Sequence, residues 1–562
     1  MSAAASVHAA AIAGGRGALG IELGSTRIKA CLVDSADPST VLAVGSHEWQ
    51  NELVDGVWTY PADAVWSGLQ AAYADLVADV RRRHEADLTG LSAIGVSAMM
   101  HGYLAFDDSG ELLVPFRTWR NTSTGAAAAE LTELLGVNIP LRWSIAHLHQ
   151  AILDDEAHLA ALASVNTLAG WVHQSLTGEF VLGVGDASGM FPIGVDGGYD
   201  AARVAAYDAH AGAALGGRSL TELLPAVLPA GADAGRLTAA GAALLDPTGT
   251  LRPGAVAAPP EGDAGTGMVA TNAVAPRTGN VSAGTSIFAM VVLERPLERV
   301  HTEIDLVTTP AGDAVAMVHC NNGASELAAW ASLFSAFSAA SGSPLSTDAV
   351  FEVLLREALV GAPDAGGLLA YNHLAGEPIA GLDEGRPLFV RTPDASFTLA
   401  NTMRAHVYGV FATLALGMQT LAEEGVALDE LFAHGGIFRT AGVAQRFLAG
   451  ALDVPVTVGD TAAEGGAWGM AVLAAFAAHA RQTEPAGDDD AHPHNAPGEG
   501  LAGYLTTRVF AGAASVTVDP DPTDVAGFAD YLIRYRDGLA VEVAAVTALG
   551  TRGIRSTNEG TA

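Results

Sequence analysis

The sequence predicts an α/β protein of two domains, and three observations carry that prediction. Its 562 residues exceed what one hydrophobic core usually organises, so two domains are the default and a single large barrel the minority reading. Three short apolar segments, "ALGIELG" at 18–24, "IKACLVD" at 28–34 and "VLAVGSHEW" at 41–49, are separated by turn residues and read as an antiparallel meander. The strand, small polar turn, strand pattern then restarts after Pro276 in "GNVSAGTSIFAMVVL".

The elements follow in order. The alanine-rich start lacks a basic leader before a strong apolar block and reads as a frayed tail, not a signal peptide. "ADAVWSGLQAAYADLVADVRRR" carries apolar residues at helical spacing and a basic C-terminal end. "LSAIGVSA" is a further strand. Later, "MRAHVYGVFATLALGMQTLAEEG" is a long helix, "ELFAHGGIF" a strand running into a glycine turn, and "AEGGAWGMAVLAAFAAHA" another helix. Asp, Pro, Gly and His dominate 482–500, a linker composition. The helix in "DVAGFADYLIRYRDGLAVEVAAV" could pack on either domain. The expected domains are thus 18–275 and 276–480, with a linker at 482–500 and an extension at 501–562.

Composition narrows the function classes. No apolar run reaches the roughly 18 to 20 residues needed to span a bilayer, and a cytoplasmic location is expected. Cys31 and Cys320 stand in apolar or small-residue surroundings and read as reduced core residues. A formal charge of −34 repels nucleic acid and anionic membranes. Any nucleotide must therefore be held by backbone N–H groups, helix N-termini and a divalent cation. No Gly-x-Gly-x-x-Gly dinucleotide fingerprint or Walker A sequence is present.

Seven segments, taken in order, resemble the motifs of the FGGY carbohydrate kinases of the actin-like ATPase superfamily. They are "GIELGSTRIKACLVD", "SAMMHGYLAFD", "PFRTWRNTST", "GDASGMFPI", "EGDAGTGMVATNAV", "SAGTS" and "AHGGIFRTAGVAQRFLAGALDVPV". The resemblance runs from about Leu19 to Ala475 and is nearest to family members that phosphorylate D-xylulose. It implies two actin-like (ribonuclease H-like) ATPase domains with an interdomain cleft, ATP and Mg²⁺ as cofactors, and a small-molecule sugar as partner. No nucleic acid or membrane partner is expected, and a homodimer is left open.

Residue chemistry stands beside the resemblance. Gly24, Ser25 and Thr26 can turn N–H groups and hydroxyls toward a phosphate, as can Gly284, Thr285 and Ser286. Both are equally readable as ordinary hairpins, and their recurrence, one per half, favours phosphate. Gly435 and Gly436 leave room for a flat base to approach the backbone, and the resemblance assigns them to adenine. Transfer of a γ-phosphoryl group to a hydroxyl needs a carboxylate to take the proton. The resemblance gives that role to Asp263, which by spacing alone is as readily a helix N-cap. The resemblance also assigns Met100, His101, Trp119, Arg120 and Asp263 to the sugar. Glu22 and Asp263 are the expected Mg²⁺ carboxylates.

Two motifs depart from the family pattern. Glu22 stands where Asp is usual, and Glu261, Gly262, Asp263 and Ala264 replace Gly-Gly-Asp-Asn, losing a sugar contact with the Asn. D-xylulose is the first expected acceptor, followed by L-ribulose, D-ribulose, gluconate or a related polyol. An ATP-driven molecular switch without a sugar pocket is the rival from another class. Lys29, the only lysine, reads as cover for a sheet edge more than as a phosphate ligand. The "HLHQ" and "HPHN" pairs lack a nearby third ligand at a usual spacing and read as incidental.

Overall fold

The first three apolar segments pair as their alternation dictates. In the computed structural model, which describes residues 3–459, 465–483 and 500–549, Gly17–Leu23 (β1), Arg27–Asp34 (β2) and Asp37–Glu48 (β3) form an antiparallel meander. Ala93–Ala98 (β4) joins β1 in parallel, and Val256–Ala257 (β5) and Glu261–Gly262 (β6) join β4 in parallel. The resulting order is β5-β4-β1-β2-β3, with β6 on β4. Every residue of β4 is buried, which explains its unbroken small and apolar composition.

Helices cover this sheet. Ala3–Ala13 (α1) is helical where the sequence suggested a frayed tail; alanine is the strongest helix former, and Ala11 and Ile12 are buried. Ala62–His84 (α2) buries Val65, Leu69, Ala72, Leu76 and Val80, a stripe at helical spacing. Glu85, left-handed at φ 53°, ends α2 by returning its N–H to Arg81 O. Asp263–Ala270 (α3) follows β6 directly.

The chain divides into two compact units. The first comprises the described residues of Met1–Thr278, Val291–Ala316 and Asp460–Ala514; the second those of Gly279–Met290, Met317–Gly459 and Ser515–Ala562. The second unit is built on Thr278–Ala283 (β7), Ile287–Val292 (β8), Ala314–Cys320 (β9), Glu430–His434 (β10), Val456–Gly459 (β11) and Ser515–Val518 (β12), adjacent in the order β9-β8-β7-β10-β11-β12. The β10 and β11 strands are parallel, and β12 closes that edge antiparallel to β11. Leu399–Glu423 (α4) is buried along most of its first four turns.

Gly465–Thr483 (α5) belongs to the first unit and packs on β1 and β4. Pro522–Ala548 (α6) belongs to the second, where Asp524 is buried between Arg404 of α4 and Arg446. The sequence had left the placement of α6 open. Nearly all of the expected linker, with its "HPHN" pair, lies outside the described residues.

These observations correct the expected fold class. The structure supports an α/β fold with open, mixed sheets, not the expected pair of actin-like, ribonuclease H-like ATPase domains with an interdomain cleft. Neither sheet closes on itself, and the second carries an antiparallel edge strand, β12, contributed from beyond residue 500. The recurring hairpin motif was legible locally, but motif recurrence does not specify how a whole sheet is completed. Both cysteines are buried. No described helix is long and apolar enough to cross a membrane.

Candidate active site

The parallel strands of the first unit deliver its polar residues to one end of the sheet. Register pairs Glu22 of β1 with Ser97 of β4, and Ser97 with Glu261 of β6. Beyond this row the three strands release the 24–26 turn, the Met99–His101 segment and Asp263. The carboxyl ends of parallel strands are where α/β sheets commonly present chemistry.

The 24–26 turn is fixed from outside. Gly24 N–H donates to Arg27 O at 3.1 Å, Trp49 Nε1–H to Gly24 O at 2.6 Å, and the Tyr60 hydroxyl to Ser25 O at 2.6 Å. Trp49 and Tyr60 stack with centroids 4.2 Å apart. The Trp119 indole donates to Ser25 Oγ at 3.3 Å, joining a residue expected at the sugar to one expected at phosphate. Arg120 instead lies over the Trp58 ring, 4.2 Å from its centroid, and Trp58 is held by Asn121 through two 2.8 Å hydrogen bonds.

Asp263 is the first residue of α3, with Gly262 at the cap position, so the structure does not use it as the N-cap. Met100 N–H donates to its Oδ1 at 3.1 Å. Asp263 keeps a partly exposed edge while protein crowds its other sides. That desolvation, followed by the negative charge of Glu22, pushes its pKa up to about 6. His101 adopts a left-handed φ of 71°, is 5% exposed, and sets Nδ1 3.4 Å from Gly189 O. Met100 and Asp263 therefore do meet, while the His101 ring turns to Gly189.

Glu22 lies across the hairpin from Lys29, whose Nζ is 3.3 Å from Glu22 Oε2. This corrects the reading of Lys29 as edge cover: β2 runs between β1 and β3, so the lysine serves a carboxylate inside the sheet. Glu22 Oε2 is buried, with the Lys29 ammonium as its ion-pair partner. The Glu22 charge also reaches Asp263, and two neighbouring carboxylates offer the oxygen donors that a hard cation such as Mg²⁺ takes. The donor chemistry of Glu22 and Asp263 fits the expected metal.

Sequence reasoning gave no site role to three residues here. Gly466 of α5 is required by close approach, since a Cβ there would stand 2.5 Å from Glu22 Oε1 and 2.8 Å from Thr266 Oγ1. Asp186, in the quoted "GDASGMFPI" segment, is 1% exposed and accepts from Thr167 Oγ1–H at 2.6 Å. Burial first, then the Asp263 charge, raises its pKa to about 7 despite that hydrogen bond. Glu261 is also 1% exposed and accepts N–H bonds from Gly185 and Asp186. Burial and the Asp186 charge push it well above the carboxylate range. The signal for Asp186 and Glu261 was an acidic residue within each of two quoted motifs, but only the fold makes them neighbours.

The second unit assembles its own predicted residues. Gly284 N–H donates to Ser286 O at 2.9 Å, closing the 284–286 turn, while Gly323 N–H and Ala324 N–H donate to Thr285 O and Gly284 O at 2.7 and 2.8 Å. Gly435 follows β10 at φ 120°, a conformation that favours glycine, and a Cβ there would collide with Ala283 O. Gly435 and the 284–286 turn thus sit at the ends of adjacent strands. Asn322, absent from the sequence reading, accepts from Leu374 N–H and Ala375 N–H and donates to Glu377, anchoring the loop that supplies Gly323.

Residues 18–248 match the model of the FGGY family of carbohydrate kinases, N-terminal domain, and residues 279–478 that of its C-terminal domain. Among solved structures, xylulose kinase from Rhodospirillum rubrum is similar at 22% identity and TM-score 0.72, covering 95% of this chain and 99% of that one. A xyloylose kinase from Brucella ovis aligns at 20% identity and TM-score 0.72, covering 95% and 100%. A gluconate kinase from Lactobacillus acidophilus aligns at 16% and TM-score 0.72, covering 95% and 98%. At these identities the likeness is one of fold. No curated protein matches the chain in sequence.

Proposed function

Because the chain belongs to the FGGY family of carbohydrate kinases and is an ATP-dependent kinase of that type, we propose that it phosphorylates a ketopentose, D-xylulose first, to the 5-phosphate. The observation that carries this reading is the hydrogen bond from Met100 N–H to Asp263 at the ends of β4 and β6. Several structural relatives are named as xylulose kinases, and that supports the choice of sugar.

In the proposed reaction the acceptor hydroxyl oxygen bonds to the γ-phosphorus as the bond from phosphorus to the bridging oxygen of ADP breaks. The hydroxyl proton passes to the Asp263 carboxylate and from there to solvent. Each of the turns at 24–26 and 284–286, one per unit, offers backbone N–H groups and hydroxyls suited to phosphate oxygens, and Gly435 and Gly436 in the second unit leave room suited to an adenine. Glu22 and Asp263 would hold Mg²⁺, which would supply positive charge against the phosphates. Trp119 gives the sugar an apolar wall, and Arg120, seated on Trp58, a hydrogen-bonding neighbour.

ADP release from the purified protein, measured against pentuloses, polyols and sugar acids, tests the proposal. Strong dependence on D-xylulose is expected, with weak response to glucose or glycerol. A preference for gluconate or a ribulose would replace the acceptor and keep the kinase. Equal rates with and without any sugar would overturn the reading in favour of an ATPase switch.

A further inference from the structure

Three helices of the first unit, Gly125–Leu135, Ser144–Leu153 and Ala201–Ala211, bring Glu130, His149 and His210 together. One ligand atom from each lies within 4.8 Å of the others. Glu130 Oε1 is 2.6 Å from His210 Nε2 and 3.6 Å from His149 Nε2, and the two imidazole rings are 5.5 Å apart. A tetrahedral zinc site with metal–ligand distances of about 2.0–2.1 Å places its ligand atoms roughly 3.3–3.5 Å apart. Side-chain adjustments of about 1 Å reach that spacing.

An independent observation points to a ligand. His149 is 2% exposed, yet neither ring nitrogen has a hydrogen-bond partner. Buried polar groups left so are uncommon in native proteins, and a missing ion is a standard reason. Tyr207, on the same helix as His210, packs its ring 5.8 Å from His149 and also buries an unpartnered hydroxyl. Glu130 and His210 are 40% and 38% exposed, leaving an entry path and room for a water as fourth ligand.

We propose that Glu130, His149 and His210 form a binding site for a borderline transition-metal ion, Zn²⁺ first, that ties the three helices together. Two imidazoles and one carboxylate suit Zn²⁺ far better than Mg²⁺, which prefers an all-oxygen shell. The site is separate from the Glu22 and Asp263 carboxylates, and its occupancy does not depend on the identity of the sugar. The "HLHQ" pair read as incidental because its missing ligands lie on other helices, where local spacing could not reveal them.

The test uses the untagged full chain, stripped with a chelator and titrated with Zn²⁺ against a chromophoric competitor. Binding of one Zn²⁺ per chain is expected, with a rise in Tm, and Co²⁺ should give the visible absorption of a tetrahedral site. Loss of an outer-shell partner typically costs about 10- to 100-fold in metal affinity, so Glu130→Gln and His210→Gln should each weaken binding by at least about 100-fold. Both side chains are partly exposed, and circular dichroism checks that the variants fold. Should one fail, the other decides. No binding to the wild-type chain, or unchanged affinity and Tm shift in the double variant, would overturn the site.

Discussion

The Met100 N–H donates to Asp263 Oδ1 at 3.1 Å, tying the segment expected at the sugar to the expected base. An asparagine at 263 keeps an acceptor for that N–H and loses the carboxylate charge that serves as base and as Mg²⁺ donor. Asp263→Asn should therefore lower kcat by about 10² to 10⁴ while Tm changes little. A folded variant with near-normal turnover would remove Asp263 from the chemistry.

The pH profile follows from the same carboxylate. A general base must be ionised to accept a proton, and Asp263 titrates near 6, so kcat/KM should fall about tenfold per unit as pH drops below that value. Burial is the first cause of the raised pKa and the Glu22 charge the second. Glu22→Gln removes the second and should move the acid limb to lower pH. The same variant should raise the Mg²⁺ concentration needed for half-maximal rate, whereas Glu22→Asp should retain substantial activity. An acid limb unmoved in Glu22→Gln would separate the two carboxylates.

How much of this was legible in the sequence depends on the range of the interactions involved. Strands and hairpins from 17 to 48 could be read because alternation and turn residues are local, as could the apolar stripe of α2. The edge strand Ser515–Val518 could not: its pairing with Val456–Gly459 is made across a long separation, and three of its four residues are exposed. At the site, Asp263, His101 and the glycine turns stood out within motifs. The pairing of Asp186 with Glu261 did not, because a backbone N–H meeting a distant carboxylate leaves no spacing pattern. Lys29 was misread for a related reason. Its partner Glu22 was visible in the sequence, but the placement of β2 inside the sheet was not.

Asp186 gives a prediction about stability. Its pKa rises from an ordinary value near 4 to about 7 on folding, so between those limits the folded chain binds protons that the unfolded chain has released. Stability from this group is then present at low pH and lost as pH rises through that window. An asparagine at 186 still accepts the Thr167 hydroxyl but does not titrate. Asp186→Asn should narrow the Tm difference between pH 5 and pH 8; a difference equal to that of the wild type would show that Asp186 is ionised throughout.

Gly466 tests whether the position of Glu22 matters as well as its charge. A Cβ at 466 would stand 2.5 Å from Glu22 Oε1 and 2.8 Å from Thr266 Oγ1, closer than real Cβ contacts allow. The glutamate is the more mobile of the two, since Thr266 is fully buried and its hydroxyl lies 3.2 Å from Ser97 Oγ. Gly466→Ala should thus rotate the Glu22 carboxylate away while leaving Lys29 and the β1–β2 register in place. Alanine favours a helix over glycine by about 1 kcal/mol, which offsets part of the steric cost, so Tm should move by only a few degrees. Activity should fall by about tenfold or more, as misplacement of about 1 Å can cost a hundredfold, and extra Mg²⁺ should restore part of it. If Gly466→Ala keeps wild-type kcat and Mg²⁺ dependence, Glu22 has no role in the reaction that depends on its placement.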